Sequence, residues 1–430
     1  MKNRTIELAN GLRVVHTHNP YTRAVHCGYV INAGSRDDGA EALGMAHFIE
    51  HMIFKGTTNR KTFHILNYLE SVGGDLNAYT SKEKTCVYAS LASDYVDRAT
   101  ELLTDICFAS TFPVKEIEKE KQVISEEIDM YRNAPDEAIF EDFDQFIFPQ
   151  HTLGHPILGT KESIRTFTQA DIQDFVGRSF SEGRMVYSIV GHVSDREVDR
   201  LVDKYLRHLT LGTPYSDRRT PPPLITDMQT VAISSSQTHE ILGGRAYGIK
   251  DEKYFPFLVL NNLLGGPAMN ARLNLNIREK FGLTYNISSF FSPYLDCGMW
   301  GIYYACEPKN RDRIHRLVQK ELKGFMEKPL GVIRLSQAKK QLIGQLTLGY
   351  ENLMTQMLSN AKDMLDFDEI VSFSSYIKCI DKVQASHLME VANECFSPEN
   401  ISRLTYEGNK TLNGSAIPQF NPQTSSPTPQ

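Results

Sequence analysis

A stretch near the middle of the chain interrupts every periodic pattern of apolar residues around it. It runs Thr210-Leu-Gly-Thr-Pro-Tyr-Ser-Asp-Arg-Arg-Thr-Pro-Pro-Pro223, and its proline, glycine and charged residues are typical of a linker. The chain has 430 residues, more than one hydrophobic core usually organises. We therefore predict two domains, at residues 1–209 and 227–412, with a linker at 210–226 and a disordered, Pro-, Ser-, Thr- and Gln-rich tail at 413–430.

Each side of this break contains strand-like segments that are followed by segments with helical periodicity. Strands are predicted near residues 24–33 and 87–92 in the first half, and near 230–235 and 299–306 in the second. The pattern predicts two α+β halves of similar construction, although their sequences share too little to establish a duplication.

The charge and the apolar content exclude several classes of protein. The formal net charge is −6 and no basic block occurs, so we expect no nucleic-acid partner and no anionic membrane partner. No segment approaches the roughly 20 apolar residues of a membrane span, and the first residues lack the apolar core of a signal peptide. The seven cysteines are odd in number, widely spaced and free of any Cys-x-x-Cys pair, so we expect reduced thiols in a cytoplasmic protein.

Two histidines and a glutamate interrupt an apolar segment at residues 41–55 that is predicted to be a helix. Because His47 and His51 are four residues apart, a helix places both on one face about 6 Å apart, with Glu50 beside them. Two neutral imidazoles and a carboxylate suit Zn²⁺, and a catalytic zinc site has three protein ligands and one open position. The alternative is a chance trio on a solvated face. The neighbouring residues, such as Phe48, are apolar, and burying these polar groups without a partner costs several kcal/mol.

A second helical segment, at residues 117–131, supplies a candidate third ligand. At about 100° per residue its apolar side chains form one stripe, which includes Glu120 and Glu127, whereas Glu126 points away. A carboxylate that faces inward needs a cation, so Glu127 is the predicted ligand. Glu120 is predicted to hold a ligating histidine in one tautomer. The alternative for Glu120 is an ordinary salt bridge.

The order His-x-x-Glu-His is the inverted zinc motif of the inverzincins. With the following Met52-Ile-Phe-Lys-Gly-Thr57 it resembles the insulinase/pitrilysin-type metallopeptidases, in the short two-domain branch similar to mitochondrial processing peptidase subunits. In that family the third zinc ligand is a glutamate about 76 residues after the second histidine, in a helix similar to Glu-Lys-x-Val-Ile-x-x-Glu-Ile. Counting from His51 gives Glu127, which the apolar stripe selects independently.

A second similarity is the segment Gly73-Gly-Asp-Leu-Asn-Ala-Tyr-Thr-Ser-Lys-Glu-Lys-Thr85, which resembles the family's edge strand beside the metal. A peptide adds to such an edge through main-chain hydrogen bonds, which tolerate varied side chains. The resemblance implies that Asn77 and Ala78 bind substrate. The alternative is an ordinary Gly-Asx turn followed by a strand.

A third similarity lies at residues 264–285 in the second half. The resemblance implies that Arg278 and Tyr285 hold substrate against the zinc, since a guanidinium and a phenol suit a peptide carbonyl and the oxyanion that develops there. From the residues alone, Arg278 is a cation at the end of a helix. Pro267 replaces a glycine that is frequent in the family, which leaves the shape of this turn open.

The resemblance also implies a fold and a mechanism. Each half is an α+β domain, a mixed, mainly antiparallel sheet with helices packed on one face, and the two domains form half of a clam-shell. Zinc, one ion per chain, polarises the scissile carbonyl, a zinc-bound water is the nucleophile and Glu50 is the general base.

The resemblance further implies a second chain, because two-domain members complete their site with a partner. Since this chain carries both the zinc motif and the Arg-Tyr pair, we expect a homodimeric zinc endopeptidase that cleaves peptides or unfolded segments. One alternative is a heterodimer with a homologous subunit. The other is a non-catalytic scaffold or partner subunit.

Overall fold

The structure, a computed structural model, describes residues 3–214 and 217–409. The predicted tail at 413–430 lies outside the described residues. The chain divides into two compact units. The first unit comprises the described residues of 1–128, 155–218 and 347–373, and the second comprises those of 129–154, 219–346 and 374–430.

The strands include the segments predicted from the sequence. In chain order they are β1 Asn3–Glu7, β2 Arg13–His18, β3 Ala24–Ile31, β4 Asp75–Thr80, β5 Thr85–Ala92, β6 Met185–Gly191, β7 Met228–Ile233, β8 Thr238–Ala246, β9 Asn286–Pro293, β10 Gly298–Cys306 and β11 Ser402–Gly408.

The α-helices follow in the same order. They are α1 Met45–Met52, α2 Thr62–Glu70, α3 Val96–Phe108, α4 Val114–Arg132, α5 Pro135–Ile147, α6 Lys161–Thr166, α7 Gln169–Ser179, α8 Asp195–Leu201, α9 Tyr254–Gly265, α10 Arg311–Glu327, α11 Val332–Tyr350, α12 Leu353–Phe367, α13 Phe373–Lys382 and α14 Ala385–Cys395. Within residues 3–214 and 217–409, none of them combines the length and the apolar composition of a membrane-spanning helix.

The strands of each unit form one sheet. In the first unit the order is β1-β2-β6-β3-β5-β4, with β2 and β6 parallel and the other neighbours antiparallel. In the second unit the order is β7-β11-β8-β10-β9, with β7 and β11 parallel and the other neighbours antiparallel. The prediction of α+β units with mixed, mainly antiparallel sheets is confirmed.

The main core of the first unit lies between one face of its sheet and helices that include α1, α3 and α4. Phe48, Leu102 and Ile124 are fully buried in this core. The other face of the sheet packs against α12, a helix from the second half of the sequence. The buried residues of this smaller cluster are Val15, Val30, Cys86 and Val186 of the sheet and Ala361 and Met364 of α12.

The second unit repeats this arrangement. One face of its sheet packs against α9, α10 and α14, where Trp300 and Phe257 are fully buried. The other face packs against α5, a helix from the first half of the sequence, through Ile139 and Phe143. Each sheet therefore carries the predicted helical layer on one face and, on the other, a helix from the opposite half of the chain.

The change from the first unit to the second between Arg218 and Arg219 falls inside the predicted linker. The domain limits 1–209, 210–226 and 227–412, and the clam-shell arrangement, stay predictions.

Arg218 is fixed within the first unit by a buried ion pair. Its guanidinium donates to Oδ2 of Asp37 at 2.6 Å, to Oδ1 of Asn32 at 2.9 Å and to the backbone oxygen of Glu83 at 2.8 Å. Burial raises the pKa of the Asp37 carboxyl, but the charges of Arg218 and Arg184 outweigh burial and hold that pKa below its ordinary value. The Arg218 side chain is therefore part of the packed structure of the first unit.

Candidate metal centre

The helix that carries the two histidines is shorter than the sequence predicts. We expected a helix at residues 41–55, but α1 begins at Met45 and ends at Met52. Gly44 has a φ of +88°, a left-handed conformation that favours glycine. The N–H groups of Gly44 and Ala46 donate to the buried carboxylate of Asp38 at 2.8 and 3.0 Å. Asp38 thus satisfies N–H groups that the first turn leaves without helical partners.

His47 and His51 lie on one face of α1. Their ring centroids are 4.7 Å apart, as the i,i+4 spacing predicts. His47 is buried, whereas the side chain of His51 is 24% exposed. The pair therefore combines an inner imidazole with one that still reaches solvent.

Glu127 of α4 approaches both imidazoles. Its Oε2 lies 3.6 Å from Nε2 of His51 and 3.9 Å from Nε2 of His47. Ligand atoms of the three residues all lie within 4.8 Å of one another, close enough to converge on one small cation. In the part of the chain that the structure describes, no other group of three or more His, Cys, Asp or Glu side chains has this geometry.

The protonation state of His47 suits a metal ligand. Burial, together with the neighbouring His51, lowers the pKa of His47 to about 3, so the imidazole is neutral at neutral pH. Within the described residues, its buried Nδ1 has no hydrogen-bond partner. Two imidazoles and one carboxylate form the donor set of a catalytic zinc site. The residues present therefore fit Zn²⁺.

Glu120, also on α4, contacts the outer side of His51. Its Oε2 lies 3.1 Å from Nδ1 of His51, and its Oε1 lies 2.5 Å from Nζ of Lys55. The carboxylate is buried; burial raises its pKa, but His51 and Lys55 outweigh burial and lower it. The structure thus has the histidine contact that we predicted for Glu120. The contact between Glu120 and Lys55 was not predicted from the sequence.

Glu50 lies on α1 between the two histidines in sequence and is not one of the three grouped residues. Burial raises the pKa of its carboxyl and the charge of Glu127 adds to the rise, while Thr80 and His51 oppose it. Among the described residues, the buried Oε2 of Glu50 has no hydrogen-bond partner. Burial of a carboxylate oxygen without a hydrogen-bond donor costs folding free energy. An oxygen in this state is available to accept a proton in catalysis.

Asn77 and Ala78 lie on β4, at the end of the strand order in the first unit. The backbone N–H of Ala78 donates to Oδ1 of its own neighbour Asn77 at 2.9 Å. Among the described strands β4 pairs with β5 alone, so its other edge is open. Since α1 packs against β4, the free edge lies beside the helix that carries the histidines.

Arg278 and Tyr285 come together in the second unit. Arg278 belongs to the π-helical turn Asn274–Glu279, and its guanidinium carbon lies 5.5 Å from the centre of the Tyr285 ring. Tyr285 is 84% exposed, so its phenol is open to a ligand. The pairing of the two side chains is a property of this unit, and their role toward a metal in the first unit stays a prediction.

Comparisons with known proteins agree on one family. The family model described as "Insulinase (Peptidase family M16)" matches residues 13–161, and that described as "Peptidase M16 inactive domain" matches residues 166–342. An uncharacterized zinc protease of Bacillus subtilis is 31% identical over 91% of this chain and 95% of its own length. An uncharacterized zinc protease of Rickettsia bellii is 31% identical over 91% of this chain and 94% of its own length.

Solved structures have the same fold. A peptidase M16 inactive domain from Pseudomonas fluorescens matches with a TM-score of 0.88 at 19% identity, over 95% of this chain and 98% of that one. A protease from Helicobacter pylori matches with a TM-score of 0.86 at 20% identity, over 94% of this chain and 99% of that one. The resemblance inferred from the motifs is confirmed.

Proposed function

The chain belongs to the insulinase family of peptidases, family M16, and on that basis we propose that it is a zinc-dependent endopeptidase. The observation that carries the proposal is the convergence of His47, His51 and Glu127 around one point, with the buried and unpartnered carboxylate oxygen of Glu50 on the same helix as the histidines. Relatives that match over nine-tenths of the chain are named uncharacterized zinc proteases. These names support zinc as the metal.

In this proposal His47, His51 and Glu127 hold one zinc ion per chain. A zinc ion held there would polarise a peptide carbonyl and lower the pKa of a water molecule toward 7. Glu120 keeps Nδ1 of His51 as the hydrogen-bond donor, which directs the lone pair of Nε2 toward the metal. Glu50 accepts a proton at its carboxylate and later returns one to the leaving amine, because it lies beside the ligands without being one of them.

The substrate is positioned by main-chain contacts. An extended peptide adds to the free edge of β4 beside Asn77 and Ala78, so the enzyme accepts varied sequences. Arg278 and the exposed phenol of Tyr285 bind the peptide carbonyl and the oxyanion that forms there. We propose that these two residues come from the partner in a homodimer, which acts on peptides or unfolded segments inside its chamber.

Two other arrangements make different predictions. A non-catalytic subunit needs none of the proton-transfer and ligand residues, whereas this chain has Glu50 and all three ligands. A heterodimer leaves the purified chain inactive until a homologous subunit is added. A cytoplasmic location is also part of the proposal. It is supported by the seven cysteines, all in the described residues, none of which forms a disulfide.

The test combines metal content with peptide cleavage. The purified chain should contain about one zinc ion per chain and should cleave members of a mixed peptide library, as read by mass spectrometry. A chelator should stop the cleavage and added zinc should restore it. His51→Ala should lose both metal and activity, since it removes a ligand. A chain that cleaves peptides without bound metal would refute the proposal.

A further inference from the structure

Lys55 follows α1 and lies outside the set of predicted site residues. We infer that Lys55 is a positioning residue of the metal centre, which acts through Glu120 to fix the orientation of His51. The inference rests on the proposed function, because it assigns Lys55 a part in zinc binding. It is carried by the contacts that both oxygens of Glu120 make.

The first step is the contact between Lys55 and Glu120. Nζ of Lys55 lies 2.5 Å from Oε1 of Glu120, and the side chains are 26% and 5% exposed. A charge-assisted hydrogen bond of this length to a buried carboxylate is among the stronger polar contacts in a protein. Water therefore competes poorly for Oε1 of Glu120.

The second step is the contact between Glu120 and His51. With Oε1 occupied by Lys55, the other oxygen, Oε2, faces Nδ1 of His51 at 3.1 Å. A carboxylate accepts hydrogen bonds, so Nδ1 must donate, and in the neutral ring the lone pair is then on Nε2. Nε2 is the atom that faces Glu127, at 3.6 Å. The orientation of one carboxylate thus selects the tautomer that binds metal.

The third step is that Lys55 is itself held in place. Its backbone N–H donates to the carbonyl oxygen of Met52 at 3.1 Å, one turn after the last residue of α1. Lys55 and His51 therefore reach Glu120 from the same rigid segment. With both oxygens engaged from one side, the carboxylate cannot rotate without breaking a contact.

Lys119, a lysine on α4, provides the comparison. Nζ of Lys119 lies 2.7 Å from Oε1 of Glu116, and the two side chains are 56% and 24% exposed. Neither residue belongs to the metal-ligand group. The Lys119 pair has the same chemistry as the Lys55 pair but no contact with a ligand, so it is a matched control for loss of a surface ion pair.

The experiment measures zinc affinity by competition with a chromophoric chelator. Lys55→Met keeps the length of the side chain and removes the charge, and it should weaken zinc binding by about 10-fold or more, the effect typical of groups that orient a metal-binding histidine. Lys119→Met should leave the affinity unchanged within about 2-fold. Lys55→Arg, which keeps a cation, should retain most of the zinc affinity. Circular dichroism and thermal unfolding establish that each variant is folded.

A double-mutant cycle separates positioning from general stabilisation. In a Glu120→Gln background, Lys55→Met should change the zinc dissociation constant by less than about 2-fold, because the residue acts through Glu120. An equal effect of Lys55→Met in both backgrounds, or wild-type affinity in Lys55→Met alone, would overturn the inference and leave the zinc peptidase intact. A wild-type chain with no affinity for zinc would overturn the proposed function and the inference together.

Discussion

Nε2 of His51 lies 3.6 Å from Oε2 of Glu127, although the two residues belong to different helices, α1 and α4. The apolar stripes of both helices bring them together, since Phe48 of α1 and Ile124 of α4 are buried in the same core. The grouping of the three candidate ligands is therefore a consequence of helix packing. Substitutions at the centre should separate metal binding from proton transfer.

Glu50→Gln should leave zinc content and substrate binding unchanged and reduce kcat by at least ~10²-fold. The amide keeps the shape of the side chain but cannot take a proton, and Glu50 is not among the grouped ligands. Metal analysis and steady-state kinetics on one peptide are sufficient to measure both effects. Loss of zinc from this variant would make Glu50 a ligand and contradict the assignment.

Glu127→Gln should weaken zinc binding by about 10-fold or more, because an amide oxygen is a poorer ligand than a carboxylate. The adjacent Glu126→Gln is the matched control. Glu126 is exposed and lies outside the metal-ligand group, so its zinc affinity should remain at the wild-type value. Chelator competition on the two variants distinguishes them, and an equal effect at both positions would indicate a general charge effect.

Mixed dimers test where the site is completed. If the zinc of one chain faces Arg278 and Tyr285 of the other, a dimer of one Glu50→Gln chain and one Tyr285→Phe chain has one site with both defects and one intact site. Random exchange makes about half of the dimers mixed, so the pool should recover about a quarter of wild-type activity under two-fold symmetry.

The control for this experiment is the activity of each variant alone, with subunit exchange verified by pull-down of a tagged chain. A site completed within one chain always keeps one defect. Verified exchange without a gain over the mean of the two parent variants would then reject the composite site.

The Arg218–Asp37 pair predicts a pH-dependent stability. Arg218→Gln should lower the free energy of unfolding at pH 7 by about 3 kcal/mol, since it breaks a buried ion pair. The pKa of Asp37 is lower in the folded chain than its value of about 3.9 in the unfolded chain. The stabilisation is therefore present above that pH and is lost as the pH falls through the folded pKa.

The difference between wild type and Arg218→Gln should accordingly shrink below about pH 4. Denaturant titrations of the metal-free proteins at neutral and acidic pH measure it. Arg219→Gln, at an exposed residue, is the control and should differ little from wild type at either pH. A difference that is independent of pH would exclude Asp37 as the partner responsible.

Several features were predictable because they depend on local patterns. The i,i+4 spacing of His47 and His51 determines their shared face once the segment is helical, and the apolar stripe of α4 singles out Glu120 and Glu127 from Glu126. Short runs of mostly apolar residues locate strands such as β3 and β10, which are buried along most or all of their length.

Other features depend on contacts that a single segment does not encode. Periodicity gives α5 and α12 an apolar face but does not specify which sheet that face covers. We therefore did not predict that each of these helices packs on the sheet formed by the other half of the chain. The start of α1 depends on the left-handed Gly44 and on Asp38, which precedes the helix by several residues. Lys55 was interpreted as the end of a helix, and its partner Glu120 lies on another element.

The exchanged helices have a consequence for how the chain can be divided. A fragment that ends at residue 209 lacks α12, which leaves Val15, Val30 and Val186 of its sheet without their cover. A fragment that begins at residue 227 likewise lacks α5. Proteolytic nicking of the intact protein in the segment 210–226 has the opposite outcome. The N-terminal product still supplies α5 to the second unit, and the C-terminal product still supplies α12 to the first. The nicked halves should co-purify, whereas halves synthesised apart should depend on co-expression to become soluble.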